Sequence, residues 1–128
     1  MATSYVSTQD PRLAPQLTVG LPGTIDSSTV TAGSDGTKVV KQGTPVGATV
    51  DWLSTDQTTV TKLSEFTGAD GEIFAGIVAN DVDVTSGDKD VTIWFDNVYL
   101  RQSLLDSTVL AALQAVSAKI TGVKLINR

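Results

Sequence analysis

The stretch of sequence that decides the fold covers residues 74–100 and reads FAGIVANDVDV, TSGDKD and VTIWFDNVYL in three successive runs. The outer runs are rich in β-branched and aromatic residues and the polar middle run is typical of a turn, so the stretch predicts a hairpin. Apolar positions change face near Asn80, which predicts a bulge or a strand end there. Ile93 and Trp94 place apolar side chains on both faces of the last run. We therefore expect that run to form a central strand covered on both sides.

The composition is that of one small domain rich in turns. Of the 128 residues, 41% are apolar, 5% aromatic and 18% charged, so Thr, Ser and Gly fill the deficit. We expect a single mainly β domain, a small barrel or sandwich with one short C-terminal α-helix and an extended N-terminal arm. The net charge is −5 and the basic residues are scattered. This predicts no binding to nucleic acid, because nothing would neutralise the phosphates, and no binding to a membrane surface.

Two residue types that carry much of enzyme chemistry are missing, since the chain has no cysteine and no histidine. This excludes disulfides, thiolate nucleophiles, Ser-His-Asp and Cys-His mechanisms within the chain, and removes the commonest metal ligand. We expect a protein that is not an enzyme and that uses no cofactor and no metal. The first ten residues lack the features of a signal peptide, and no apolar run approaches the roughly 20 residues of a membrane span. Synthesis in the cytoplasm is therefore expected.

Residues 1–23 are predicted to form an extended N-terminal arm, and residues 24–128 a single β-rich domain. Pro11, Pro15 and Pro22 disfavour a helix and a central strand in the first segment. Its apolar residues lie largely two apart, the spacing of a strand with one apolar side: Leu13, Leu17, Val19 and Leu21. We predict that this side binds a partner by strand addition, the alternative being an unstructured terminus. A truncation lacking residues 1–21 is then expected to fold but not to bind.

The remaining segments predict short strands, turns and one helix. Residues 43–47 read GTPVG, a sharp turn typical of the entry to a small barrel. Asp106 or Ser107 is a natural helix N-cap, and Gly122 is placed as the C-terminal glycine cap after a helix ending near Lys119. Residues 123–126 are predicted to close the sheet as a last strand. The helix is predicted from apolar residues at helical spacing: Val109, Leu110, Leu113, Val116 and Ile120.

An acidic cluster in the central stretch is the first candidate for a chemical site. Its members are Asp81, Asp83, Asp88 and Asp90. The spacing departs from a calcium-binding loop, because Thr85 stands at the third ligand position and Gly87 comes one residue late. Hydrolysis of a glycoside by Asp81 and Asp83 would need a cleft and a desolvated acid, which the sequence does not indicate. A solvated loop is therefore the favoured interpretation.

The two tryptophans are the second candidate. Trp52 or Trp94 could stack on a sugar ring, which would make the protein a carbohydrate-binding or other accessory β-domain. Tryptophan is more often a partly buried core or interface residue, and we favour that interpretation. The carbohydrate-binding domain remains the alternative function.

The order of several short segments resembles the head decoration proteins of tailed bacteriophages, the group typified by the lambda capsid-stabilising protein. The similarity covers about residues 37–126, and the region 24–37 is longer than in the shortest members of the family. The segments that carry it are, in order, KQGTPVG at 41–47, AGIVANDVDV at 75–84, VTIWFD at 91–96, the helix at 106–119 and ITGVKLI at 120–126.

This resemblance implies a small β-rich domain that assembles as a homotrimer on the outer surface of the expanded capsid. There the trimer clamps neighbouring major capsid proteins and holds the shell against the pressure of the internal DNA. The arm of such proteins becomes ordered on the capsid and pairs with extended segments of the major capsid protein. By position and composition, the capsid-binding residues implied for this chain are Leu13, Leu17, Val19 and Leu21.

Overall fold

The computed structural model describes residues 10–54 and 60–126. Within these ranges the chain forms nine strands, one α-helix and three short 3-10 turns. The strands are β1 (Val19–Ile25), β2 (Val39–Val40), β3 (Pro45–Ala48), β4 (Lys62–Glu65), β5 (Ile73–Val78), β6 (Val82–Asp83), β7 (Lys89–Asp96), β8 (Val98–Arg101) and β9 (Val123–Ile126). The helix is α1 (Ser107–Ala115), and the 3-10 turns are Pro15–Leu17, Ser27–Thr29 and Gln102–Leu104.

Five strands close into a barrel in the order β1-β4-β3-β5-β7. Strand β1 completes the ring: it pairs antiparallel with β7 along its whole length and parallel with β4 at Thr24 and Ile25. Two smaller sheets, β2 with β6 and β8 with β9, lie beside the barrel sheet. The prediction of a mainly β fold with a small barrel and one short helix near the C-terminus is confirmed.

Strands β5 and β7 form a wall between two apolar cores. Val78 pairs with Ile93 on one face and Ile77 pairs with Trp94 on the other, and all four side chains are buried. The first core draws on the five barrel strands, and the second lies between this wall, β8 and α1. The predicted central strand, covered on both sides, is therefore present as β7. The alternation of side chains along a strand lets one strand serve both cores.

The central stretch forms more strands than a single hairpin. Its first run ends as β5 at Val78, just before Asn80, as predicted, and β6 then leaves to pair with β2. Its last run is divided at Asn97, whose φ of 53° lies in the left-handed region that asparagine tolerates. The chain turns there, so β8 joins β9 in a separate parallel sheet.

The helix begins as predicted and ends earlier. The side chain of Asp106 accepts a hydrogen bond from the Thr108 N–H at 2.9 Å, which confirms an N-cap at this position. The helix stops at Ala115 and gives way to turns, in which Lys119 Nζ donates to the Gly68 carbonyl at 2.5 Å. Gly122 is not the helix cap. It has a φ of 78° and leads into β9, which is the predicted closing strand but pairs with β8 outside the barrel.

Strand β1 begins at Val19, so the last five residues of the predicted arm, 19–23, lie in this strand. Residues 19–23 are extended, as predicted for the arm, but they pair with residues 91–96 of β7 and so belong to the barrel. Upstream, Pro15–Leu17 form a 3-10 turn rather than an extended segment, because proline suits the first position of such a turn. Residues 1–9 of the predicted arm lie outside the described residues.

Candidate binding surface

The four aspartates of the central stretch do not form a common site. Asp81 accepts a hydrogen bond from the Gln42 N–H at 2.7 Å, and Asp83 accepts one from the Thr85 N–H at 2.9 Å. Asp90 accepts from the Thr24 hydroxyl at 2.7 Å. Each carboxylate thus fixes its own turn or strand end. Across residues 10–54 and 60–126, no group of three or more acidic, His or Cys side chains is arranged to hold a metal ion.

Asp88 links the turn before β7 to two other parts of the barrel. It accepts a hydrogen bond from the Ser27 N–H at 2.8 Å and forms an ion pair with Lys62 Nζ at 2.8 Å. The hydrogen bond from Lys62, together with those from Ser27, lowers the pKa of Asp88 from its ordinary value of 3.8 to about 2. The residue is therefore a structural tie between β1, β4 and β7.

This depressed pKa predicts a stability change at acid pH. A carboxyl whose pKa is lower in the folded state stabilises that state above its unfolded pKa, and the contribution disappears as the pH falls through the folded pKa. For Asp88 the loss falls between about pH 4 and pH 2. In urea denaturation at pH 6, 4 and 2, we expect Asp88→Asn to lower stability at pH 6 and to weaken its dependence on pH below 4. Lys62→Met should reproduce part of both effects, and an unchanged pH dependence in both variants would contradict the prediction.

The two tryptophans lack the exposed ring face that stacking on a sugar requires. Each is only 8% exposed. The Trp52 ring packs edge-on against Phe95, with 6.3 Å between ring centroids. The Trp94 ring is covered by the guanidinium group of Arg12, which lies 4.2 Å from the ring centroid. These positions agree with the favoured interpretation of both tryptophans as buried residues. Neither ring offers an exposed face on which a sugar could stack, as the carbohydrate-binding alternative requires.

The predicted binding residues lie on the surface in three different local settings. Leu13 lies beside β8, and its N–H donates a hydrogen bond to the Tyr99 carbonyl at 2.6 Å. Leu17 ends the first 3-10 turn and is 52% exposed, while Leu21 in β1 is 49% exposed. Val19 begins β1 and is also exposed. All four side chains are thus exposed and accessible to a partner, but exposure of single aliphatic residues is ordinary unless they belong to a larger patch.

Further exposed aliphatic residues share one end of the barrel with β1. Because β1 runs parallel to β4, its residues 19–23 lie at the end where β4 begins. Strand β3 runs antiparallel to β4 and therefore finishes at this end, and Ile73 at the start of β5 pairs with Ala48 there. We call this region the apolar end. Its exposed side chains are Leu17, Val19, Leu21, Val50, Leu53, Val60 and Ile73.

The backbone of the apolar end offers an open strand edge. Residues 19–23 pair with β7 on one side, whereas β4 reaches only Thr24 and Ile25 on the other. Among the residues that the structure describes, the second edge of this segment carries no strand. Pro22 removes one donor from it, a feature typical of edge strands. An extended peptide can pair with such an edge while its side chains pack on the neighbouring aliphatic residues.

Sequence reasoning missed four of the seven exposed residues of this surface. Val50 lies just after β3, and residues 52–54 form a turn that leaves Leu53 exposed. Val60 lies two residues before β4, and Ile73 is the first residue of β5; both side chains are exposed at these strand ends. The available signal was their position beside polar loops, since aliphatic residues next to a loop gain little burial from the strand they adjoin.

Comparison with family models, with curated proteins and with solved structures found no match to this chain. In the described parts of the chain, none of the helices combines the length and apolar character needed to cross a membrane.

Proposed function

We propose that this protein is a head decoration protein of a tailed bacteriophage. It binds the outer surface of the expanded capsid as a homotrimer and clamps neighbouring major capsid proteins, acting by binding alone. The observation that carries the proposal is the apolar end, where all but one of the predicted capsid-binding residues join further exposed aliphatic side chains next to an open strand edge. The resemblance of residues 37–126 to decoration proteins supports the same conclusion.

The physical chemistry of the apolar end suits a clamp. Full burial of a leucine side chain contributes about 1.5–3 kcal/mol, so a half-exposed leucine retains roughly 1 kcal/mol for binding. One such contact gives only weak binding. A trimer that presents the same surface three times binds much more tightly, because the second and third contacts form at a high effective concentration. Strong attachment therefore requires no deep pocket and no catalytic residue.

The proposal predicts which substitutions abolish attachment to the shell. Leu17→Ser with Leu21→Ser removes two half-exposed side chains per subunit, and we expect at least about a hundredfold weaker binding. Val39→Ser is the matched control, because Val39 is 43% exposed but lies on β2 beside β6. Binding is measured by co-sedimentation with expanded shells of the major capsid protein from the same phage, assembled without decoration protein.

The outcomes separate the function from the surface that performs it. Retention of binding by Val39→Ser, together with its loss in the double variant at unchanged melting temperature, supports the apolar end as the contact surface. Equal binding of the double variant and the unmodified protein would overturn the role of Leu17 and Leu21. Failure of the unmodified protein to bind the shells would overturn the decoration function itself.

A further inference from the structure

Residues 10–13 lie against β8 and are joined to it by an isolated antiparallel bridge. The Arg101 N–H donates to the Pro11 carbonyl at 2.8 Å and the Leu13 N–H donates to the Tyr99 carbonyl at 2.6 Å. Between these two bonds Arg12 faces Leu100 in an antiparallel bridge. The Pro11 side chain is fully buried. This segment is thus held on the body of the protein at its backbone and at one side chain.

The side chain of Arg12 reinforces this attachment. Its guanidinium group lies over the Trp94 ring, with 4.2 Å between the guanidinium carbon and the ring centroid. Asp10 holds the other side of the group: Nε donates to the two carboxylate oxygens at 2.9 and 3.1 Å, and Nη2 donates to one of them at 2.6 Å. The planar guanidinium can stack on a ring and bind a carboxylate at the same time, which an ammonium group cannot do as well.

The ion pair between Asp10 and Arg12 is stabilised by hydrogen bonds as well as by opposite charge. Burial by itself raises the pKa of Asp10, but the hydrogen bonds and the positive charge of Arg12 outweigh it and hold the pKa below its ordinary value. The Asp10 carboxylate also accepts a hydrogen bond from the Arg12 N–H at 3.0 Å. The two residues therefore form a small closed unit on the Trp94 ring.

We propose that Arg12 is a positioning residue that holds residues 10–13 in a fixed place on the body of the protein. Arg12, Asp10 and Trp94 form a latch that keeps residues 10–13 on β8, and the latch sets the place from which Leu13 and Leu17 are presented. Two backbone hydrogen bonds alone stabilise so short a segment only weakly, because the net contribution of each is small. The side-chain contacts of the latch supply the rest of the stabilisation that keeps residues 10–13 on β8.

This role rests on the proposed function, since the latch matters for attachment to the shell. A segment that is already ordered loses less conformational entropy on binding than a free one. Release of the latch frees residues 10–14, which precede the 3-10 turn at Pro15–Leu17. Binding then becomes weaker although each aliphatic contact is still available.

The latch is tested by hydrogen exchange and shell binding in the same variants of the full chain. For Arg12→Ala we expect about tenfold or faster exchange of the Leu13 and Arg101 amides, and about fivefold or greater loss of binding, with an unchanged melting temperature. Arg12→Lys should give an intermediate result, because it retains the charge but not the planar group. Arg101→Ala is the control for loss of one positive charge.

Each outcome decides a separate question. Unchanged exchange at Leu13 and Arg101 in Arg12→Ala overturns the latch, and this result can be obtained even if the protein binds no shell. Faster exchange with undiminished binding overturns the positioning role. Equal losses of binding in Arg12→Ala and Arg101→Ala would assign the effect to net charge and overturn the proposal as well.

Discussion

Deletion of residues 1–21 is expected to unfold the protein. The deletion removes Val19–Leu21, which pair with β7, and opens the barrel beside a buried strand. It also removes the buried Pro11 and the latch at Arg12. Cooperative unfolding should disappear in calorimetry and near-ultraviolet circular dichroism. This expectation reverses the sequence-based one, in which a truncation lacking residues 1–21 still folds.

A shorter deletion provides the control for this experiment. Removal of residues 1–9 leaves intact every contact of residues 10–54 and 60–126 described above, so this variant should melt as the full chain does. A cooperative transition within a few degrees of the full chain after deletion of residues 1–21 would show that β1 does not hold the barrel closed.

Gly122→Ala is expected to produce a large loss of stability for a conservative single substitution. A Cβ at this position would collide with the Phe95 carbonyl oxygen, and the φ of 78° disfavours any side chain. The backbone cannot readily move away, because the Val98 N–H donates to the Gly122 carbonyl at 2.9 Å. Left-handed strain and overpacking together predict a decrease of about 2–5 kcal/mol in the free energy of unfolding, measured by urea denaturation.

Gly71→Ala separates strain from collision. Gly71 has a similar φ of 87°, but a Cβ there would meet no atom within 4 Å. Its substitution should therefore decrease the free energy of unfolding by about 1–2 kcal/mol, the contribution of left-handed strain alone. Equal losses in the two variants would mean that the contact with Phe95 contributes nothing.

The strands of the wall were predictable because their burial leaves a mark on the sequence. Ile93 and Trp94, adjacent and both apolar, require cover on two sides whatever their partners are. The pairing of β1 with β7 was not predictable. Alternation indicates which face of a strand is buried, but it does not indicate which other strand lies beside it. The break at Asn97 was hidden for a related reason, since a single left-handed residue leaves the apolar pattern on either side unchanged.

The sequence indicated some residues of the apolar end and not others. Leu17 and Leu21 stood out because prolines on either side exclude them from a helix and from a central strand. Leu53 and Ile73 lie in segments whose composition suits a core strand, and only the closure of the barrel leaves them outside. Exposure of this second group depends on the topology, and the neighbouring polar loops were the only local signal for it.

The pairing of β1 has a consequence for the order of events during synthesis. Both of its partners come later in the chain, β4 at residues 62–65 and β7 at residues 89–96. About 70 residues must be added after Ile25 before Asp96 exists, which takes roughly 4–14 s at typical rates of translation. Throughout that interval β1 has no complete partner in its own chain. The barrel strand that the ribosome makes first is thus among the last to reach its place in the barrel.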